Sequence, residues 1–463
     1  MPRATVAAMA TKGIWAEIYR RFDPERPASS PAWRAPREHG LGRTVRVLDL
    51  PIGTPRILLT GTTGTGKSTE LFRIASERAG RDLVVLVDLY QHFADTVEDA
   101  AALKEVEPWE VVFLAGLAIA RAAKELSWPF PELDRLLAEL EHAWQAAAKK
   151  AGAPPEHAID IGKVVSNVAI MASTVAAAAT GDAAIAVGGG LQTFASLVGG
   201  IRNWSVPLGK AKQRLRDQDA EVQSLLASVN AIAGHVQSKA SRLLLIIDGL
   251  DRIDGIDEAT RLFVDSTMIA RIDCPLIVVG PLAFRSNASL SAVRGGFSNV
   301  AVLANEPVVD KLEPTAYGPG IEFFCELFER RTRDLDGTQL VPKPLLEKLA
   351  YYSGGRARDF VGTIRKLSVI ALMAGVREVD EALVNEAIDE ARREREHGLD
   401  KGDIAVLEEV ARDPDRRLPP GDVARHLLKL GALLPYPNES EWYYPHPLLT
   451  MHLVRTRPRS SSG

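Results

Sequence analysis

Cysteine is nearly absent from this 463-residue chain. Only Cys274 and Cys325 occur, far apart in sequence, which excludes a disulfide-stapled fold and suits a reduced compartment. Aromatic residues are 6 % of the total, and neither sign of charge dominates: 56 Lys+Arg face 60 Asp+Glu, for a net charge of −4. A global polycation that wraps nucleic acid is thereby excluded, so any DNA or RNA contact must come from a local patch. Lys12 interrupts the Ala-rich stretch after Met1-Pro2-Arg3, so no secretory signal is expected. A cytoplasmic location is expected. What is present is ordinary for a folded protein, with 46 % hydrophobic and 25 % charged residues. The length suits about three domains at roughly 100–200 residues each.

The strongest local signal is Arg56-Ile-Leu-Leu-Thr60 followed by Gly61-Thr62-Thr63-Gly64-Thr65-Gly66-Lys67-Ser68-Thr69. The apolar run reads as a buried strand and 70–77 as a helix. The G-x-x-x-x-G-K-[ST] pattern between them therefore has the context of a phosphate-binding loop. Gly61, Gly64 and Gly66 let backbone N–H groups face a polyphosphate, and the helix N-terminus adds its positive end. Lys67 supplies a point charge to the β- and γ-phosphates, and the Ser68 hydroxyl completes a Mg²⁺ shell. ATP and Mg²⁺ are the expected ligands.

Such a loop calls for a second, metal-facing carboxylate at the end of a buried strand. Arg242-Leu-Leu-Leu-Ile-Ile-Asp248-Gly-Leu-Asp251 meets that demand, its apolar run reading as a strand covered on both faces. Asp248 is assigned to Mg²⁺. Asp251 has two open readings: a base that orients the attacking water, or the N-cap of the next helix. Further strands are expected at 83–87, 275–279 and 300–303. The fold class is α/β, a P-loop NTPase with a mostly parallel sheet, a helical insertion, a helical lid and a C-terminal winged-helix-like domain.

Three runs of residues carry a family resemblance: Gly66-Lys-Ser-Thr-Glu-Leu71, Asp248-Gly-Leu-Asp251, and Ser353-Gly-Gly-Arg-Ala-Arg358-Asp359. They resemble the AAA+/STAND ATPases, and within that group the origin-recognition relatives, over roughly 40–95 and 240–455. The resemblance implies a lid arginine that reaches the γ-phosphate, with Arg358 in the best-matching place and Arg356 as the alternative. It also implies an arginine after the strand at 275–279 that acts on the γ-phosphate, in cis or across a subunit boundary. Arg285 and Arg294 are the candidates. Many members carry Asp-Glu where this chain has Asp248-Gly249, which implies slow hydrolysis and use of the nucleotide as a switch.

From Glu313 the pattern turns helical, with amphipathic stretches at 321–331, 344–352, 358–374 and 380–396 that read as a lid. Helices at about 401–412 and 420–430 precede a hairpin at 432–436 and 441–445, which resembles a winged helix. Arg425, His426 and Lys429 on its second helix, with Arg455, Arg457 and Arg459 in the tail, offer a DNA contact; Glu439 and Glu441 at the hairpin oppose one. The alternative is an intramolecular clamp on the ATPase core.

The layout is then an N-terminal segment (1–40), an ATPase core (41–105 and 240–312), a helical insertion (106–239), a lid (313–397), a winged helix (398–455) and a tail (456–463). Within the insertion, residues 164–201 carry a single charged side chain, Asp182. Two Ala/Gly-rich arms about that turn read as a helical hairpin, and 209–240 as a long helix. The hairpin has three open readings: a buried or oligomer contact, a membrane insertion, or a disordered linker. Its position between the two nucleotide motifs resembles the KAP family.

The combined expectation is an ATP-driven switch that self-associates and controls an effector, sensor or membrane output, as in bacterial defence and signalling proteins. The alternative is an origin-recognition-like ATPase that binds DNA through its winged helix.

Overall fold

A computed structural model describes residues 13–28, 30–37, 40–50, 53–95, 100–125, 132–153, 169–171, 208–209, 211–239, 242–253, 255–282, 284, 296–335, 337–437 and 441–456. The chain divides into two compact units. One comprises Leu41–Thr60 with Glu70–Val302, the other Met1–Gly40, Gly61–Thr69 and Leu303–Gly463.

The first unit is built on strands β1 (Arg56–Thr60), β2 (Leu83–Asp88), β3 (Ala169–Met171), β4 (Leu243–Asp248), β5 (Leu276–Val279) and β6 (Asn299–Val302). They form one sheet in the order β3-β2-β4-β5-β1-β6. Five strands run parallel, and β3 pairs antiparallel to β2 at the edge. Every residue of β4 is buried, as expected of a strand covered on both faces. The register sets Asp88 beside Asp248 at the carboxyl ends of β2 and β4.

Helix α1 (Lys67–Arg78) follows the loop after β1. The Ala-rich stretch forms two helices, α2 (Pro108–Glu125) and α3 (Leu133–Lys150), packed with α4 (Ala220–Gln237). Their shared core holds Trp109, Phe113 and Trp144, with the Phe113 and Trp144 rings stacked at 4.0 Å. A shorter helix, α5 (Ile256–Phe263), follows β4.

Three expectations need correction here. The helix expected over 209–240 begins only at Ala220, because the preceding residues spend their hydrogen bonds elsewhere. Lys212 N–H donates to Ala151 O, Arg216 N–H to the Asp219 carboxylate, and the Asp217 carboxylate accepts from Thr267. Within the expected helical hairpin, Ala169–Met171 is an edge strand on β2; the rest of 164–201 lies outside the described residues. Among the described residues, no helix is long and apolar enough to cross a membrane. Asp251 is no helix cap: it sits in a 3-10 turn (Leu250–Arg252), and α5 is capped by Gly255.

The second unit is helical: α6 (Ile321–Thr332), α7 (Lys343–Tyr352), α8 (Ala357–Ala374), α9 (Glu381–Glu396), α10 (Lys401–Arg412) and α11 (Asp422–Leu430). The hairpin β7 (Leu433–Tyr436) and β8 (Trp442–Pro445) follows. Local signals explain the boundaries. The Asp380 carboxylate accepts from Leu383 N–H at the start of α9, and Asp400 with Asp403 forms a capping box on α10. The order helix, helix, hairpin at 401–445 is that expected of a winged helix.

Candidate functional site

The loop Gly61–Thr69 coils around its own lysine. Lys67 is buried, and its Nζ donates to the carbonyls of Gly61 and Thr62 at 3.0 Å each. Ser68 and Thr69 are half-buried at the start of α1. Gly64 and Gly66 have φ of +89° and +96°, a region where a side chain is strained. Space is tight as well. A Cβ on Gly64 would lie 3.1 Å from the Arg356 guanidinium and from Arg358 Cβ; one on Gly66 would lie 3.1 Å from the Arg37 guanidinium.

The two candidate lid arginines are placed differently. Arg358 donates its backbone N–H to Gly64 O at 3.0 Å, but its guanidinium faces Pro24 O and Glu25. The guanidinium on the loop belongs to Arg356, which donates to Thr63 O from Nε and Nη2. The reason is backbone geometry. Arg356 is the extended N-cap residue of α8, so its side chain leaves ahead of the helix, whereas Arg358 is already within the first turn.

Behind Arg356 lies a buried charged cluster. Asp359 pairs with Arg356 (2.9 Å), with Arg395 of α9 and with His446 Nε2 (3.3 Å), just after β8. Burial alone would raise the Asp359 pKa, but Arg356 and Arg395 hold it well below the usual carboxylate range. Burial, with Arg395 nearby, pushes His446 down to about 4 against the pull of Asp359. The neutral ring fits its bonds: Nδ1 accepts from Leu448 N–H and Nε2–H donates to Asp359. A second link starts at Thr62, whose hydroxyl donates to Asn305 Oδ1, while Asn305 Nδ2 donates to Pro435 O in β7.

In the sheet unit, Asp248 is buried at the carboxyl end of β4, and its Oδ1 accepts from Gly249 N–H at 2.7 Å. Gly249 has φ +94°, and a Cβ there would come within 2.5 Å of the Tyr90 nitrogen. That backbone and that space admit glycine. Asp251 lies in the turn just beyond. Arg285 and Arg294 lie outside the described residues.

Sequence reading did not single out Asn305, Glu306 or Arg37 at this site. A polar Asn-Glu pair three residues beyond the end of β6 is a usable signal for the first two; Arg37 stands in no local pattern.

A parallel sheet ordered 2-3-4-1-5, with a glycine-rich loop after its first strand and an acidic residue closing its third, defines an α/β P-loop NTPase fold. Among solved structures, the chain is similar to the Aeropyrum pernix ORC2 protein (ADPNP-ADP complexes) at 12 % identity, over 91 % of this chain and 93 % of that one, with a TM-score of 0.38. Cdc6p from Pyrobaculum aerophilum is similar at 12 % identity over 91 % and 94 %, with a TM-score of 0.36. The Thermotoga maritima RuvB Holliday junction branch migration motor is similar at 15 % over 50 % and 76 %, with a TM-score of 0.27. The strand order and the loop, rather than these low scores, define the fold. No family model matches the chain, and no curated protein matches it.

Proposed function

We propose that this chain is an ATP-dependent molecular switch that binds Mg²⁺-ATP on Gly61–Thr69 and hydrolyses it slowly. Lys67 would hold the β- and γ-phosphates, Ser68 and Asp248 the Mg²⁺, and Asp251 would orient the water. One observation carries the switch: Arg356 touches the loop at Thr63 while its partner Asp359 binds Arg395 and His446. Phosphate arriving at the loop competes for Arg356 and so acts on the lid helices and the C-terminal hairpin together. Slow turnover follows from Gly249, which has no room for a side chain that could serve as a base. Closure would be read out by self-association or by an effector or sensor protein, as in defence and signalling proteins, with 164–201 as a membrane output.

The test is nucleotide binding and hydrolysis by the wild type, Lys67→Ala and Asp248→Asn. Lys67→Ala should abolish binding, and Asp248→Asn should spare binding while suppressing hydrolysis. Unchanged binding in Lys67→Ala would overturn the site.

A second reading is DNA binding through the C-terminal helices, as in an origin-recognition-like ATPase. It is supported by α11, which presents His426 and Lys429 to solvent with Arg425 alongside. Salt-dependent DNA affinity that is lost in Arg425→Ala/Lys429→Ala would establish it.

A further inference from the structure

Arg37 precedes the sheet unit in a stretch without helix, strand or motif, yet its side chain is only 8 % exposed. Its Nη1 lies 2.9 Å from the Glu306 carboxylate, itself 6 % exposed. Nη2 donates to the Thr65 carbonyl, and the guanidinium carbon stands 4.7 Å from the centre of the Phe323 ring. Gly66 has no side chain to separate this cation from the loop. The acid that holds it is anchored in turn, since Glu306 N–H donates to Gly355 O, the residue before Arg356. Two arginines from distant parts of the sequence thus reach the loop from one bracket, each beside a glycine.

Burying an ion pair is a poor way to gain stability, because the desolvation of both charges offsets their attraction. A buried pair placed against an anion-binding loop is better explained by its ligand. Residues 65–67 belong to the part of such a loop whose N–H groups cradle the phosphates and whose lysine reaches the β- and γ-phosphates. A planar guanidinium already in contact with that stretch has the geometry to share two phosphate oxygens, while Glu306 fixes its other edge.

We propose that Arg37 is a phosphate-binding residue of the nucleotide site: when a nucleoside di- or triphosphate binds, it passes its hydrogen bonds from the Thr65 carbonyl to phosphate oxygen. This rests on the reading of Gly61–Thr69 as an ATP site. The competing role is a strut that only fastens the N-terminal segment.

The experiment titrates ATP and ADP into the full chain as wild type, Arg37→Ala, Arg37→Lys and Lys67→Ala, and records the melting temperature of each without nucleotide. Arg37→Ala should weaken ATP about 10-fold or more, and Arg37→Lys should recover part of the loss, because the charge remains without the planar fork. Arg37→Lys should melt like the wild type. ATP affinity in Arg37→Ala within about twofold of the wild type would overturn the proposal. So would equal loss in both variants, accompanied by equal drops in melting temperature. Should Arg37→Ala fail to fold, wild-type affinity in Arg37→Lys would overturn it. A wild type that binds no ATP would sink the ATP-site reading itself. Binding abolished only by Lys67→Ala would retain that reading and remove Arg37 alone.

Discussion

The Arg356 guanidinium donates to the Thr63 carbonyl through both Nε, at 3.1 Å, and Nη2, at 2.6 Å. A side chain that opens a lid helix is thereby joined to the phosphate-binding loop, and the neighbouring Asp359 carries the link on to Arg395 and His446.

On the proposed exchange of Arg356 from the Thr63 carbonyl to phosphate, Arg356→Ala should weaken ATP binding or turnover about 10-fold or more. It should also destabilise the fold by about 3–5 kcal/mol, the usual result of removing one partner of a buried ion pair. Arg358→Ala should stay within about 0.5 kcal/mol of the wild type, because that guanidinium is partly exposed and loosely paired. Denaturant unfolding with nucleotide titration separates the two.

Asn305→Ala removes the group that joins Thr62 to Pro435, both of whose polar atoms are buried there. The cost should be about 1–3 kcal/mol, that of leaving buried polar groups without their partner. Urea unfolding measures it.

The helical unit should weaken in acid. His446 is held neutral with its pKa near 4, below an ordinary histidine. The folded state therefore binds fewer protons than the unfolded chain as pH falls through about 6.5. Stability present above that pH should fall by up to about 3 kcal/mol as pH drops toward 4. Asp359 acts in the same sense at lower pH, since its depressed pKa means its contribution is lost only below the ordinary carboxylate range. Melting curves from pH 7.5 to 5 should slope less for His446→Gln.

The sheet unit should show the opposite trend. Burial raises Glu110 to about 8, although its oxygens accept the backbone N–H groups of Glu107 and Gly209. The folded state holds this proton while the unfolded chain releases it near 4.5, so stability declines as pH rises between those values. The loss is roughly 5 kcal/mol at most. Glu110→Gln keeps one acceptor oxygen and removes the charge, so above pH 8 it should melt higher than the wild type. Glu107, also raised mainly by burial, leaves a residual slope.

Much of the fold was legible because its signals are local. Apolar runs of five residues, each followed by an aspartate (Asp88 and Asp248), mark buried parallel strands, and the glycine spacing at 61–66 marks the loop. In the structure, Asp380, Asp400 and Gly375 cap helix ends by chemistry that is equally local. Where apolar periodicity was the only guide, boundaries failed, as at Ala220, where Asp217 and Asp219 bind backbone N–H groups instead.

By itself, the sequence determined the strand–loop–helix unit, the carboxylate that closes β4 and the helical character of the last third. Each follows from interactions between residues a few positions apart. The tertiary structure decided which cations reach the loop. Arg356 and Arg358 differ by two positions in one motif, and only the extended backbone at the helix N-cap sends the first to Thr63. Arg37 becomes a candidate ligand only because Glu306 and Phe323, hundreds of residues away in sequence, hold it beside Gly66. Local pattern encodes secondary structure, whereas the chemistry of a site depends on distances that no spacing records.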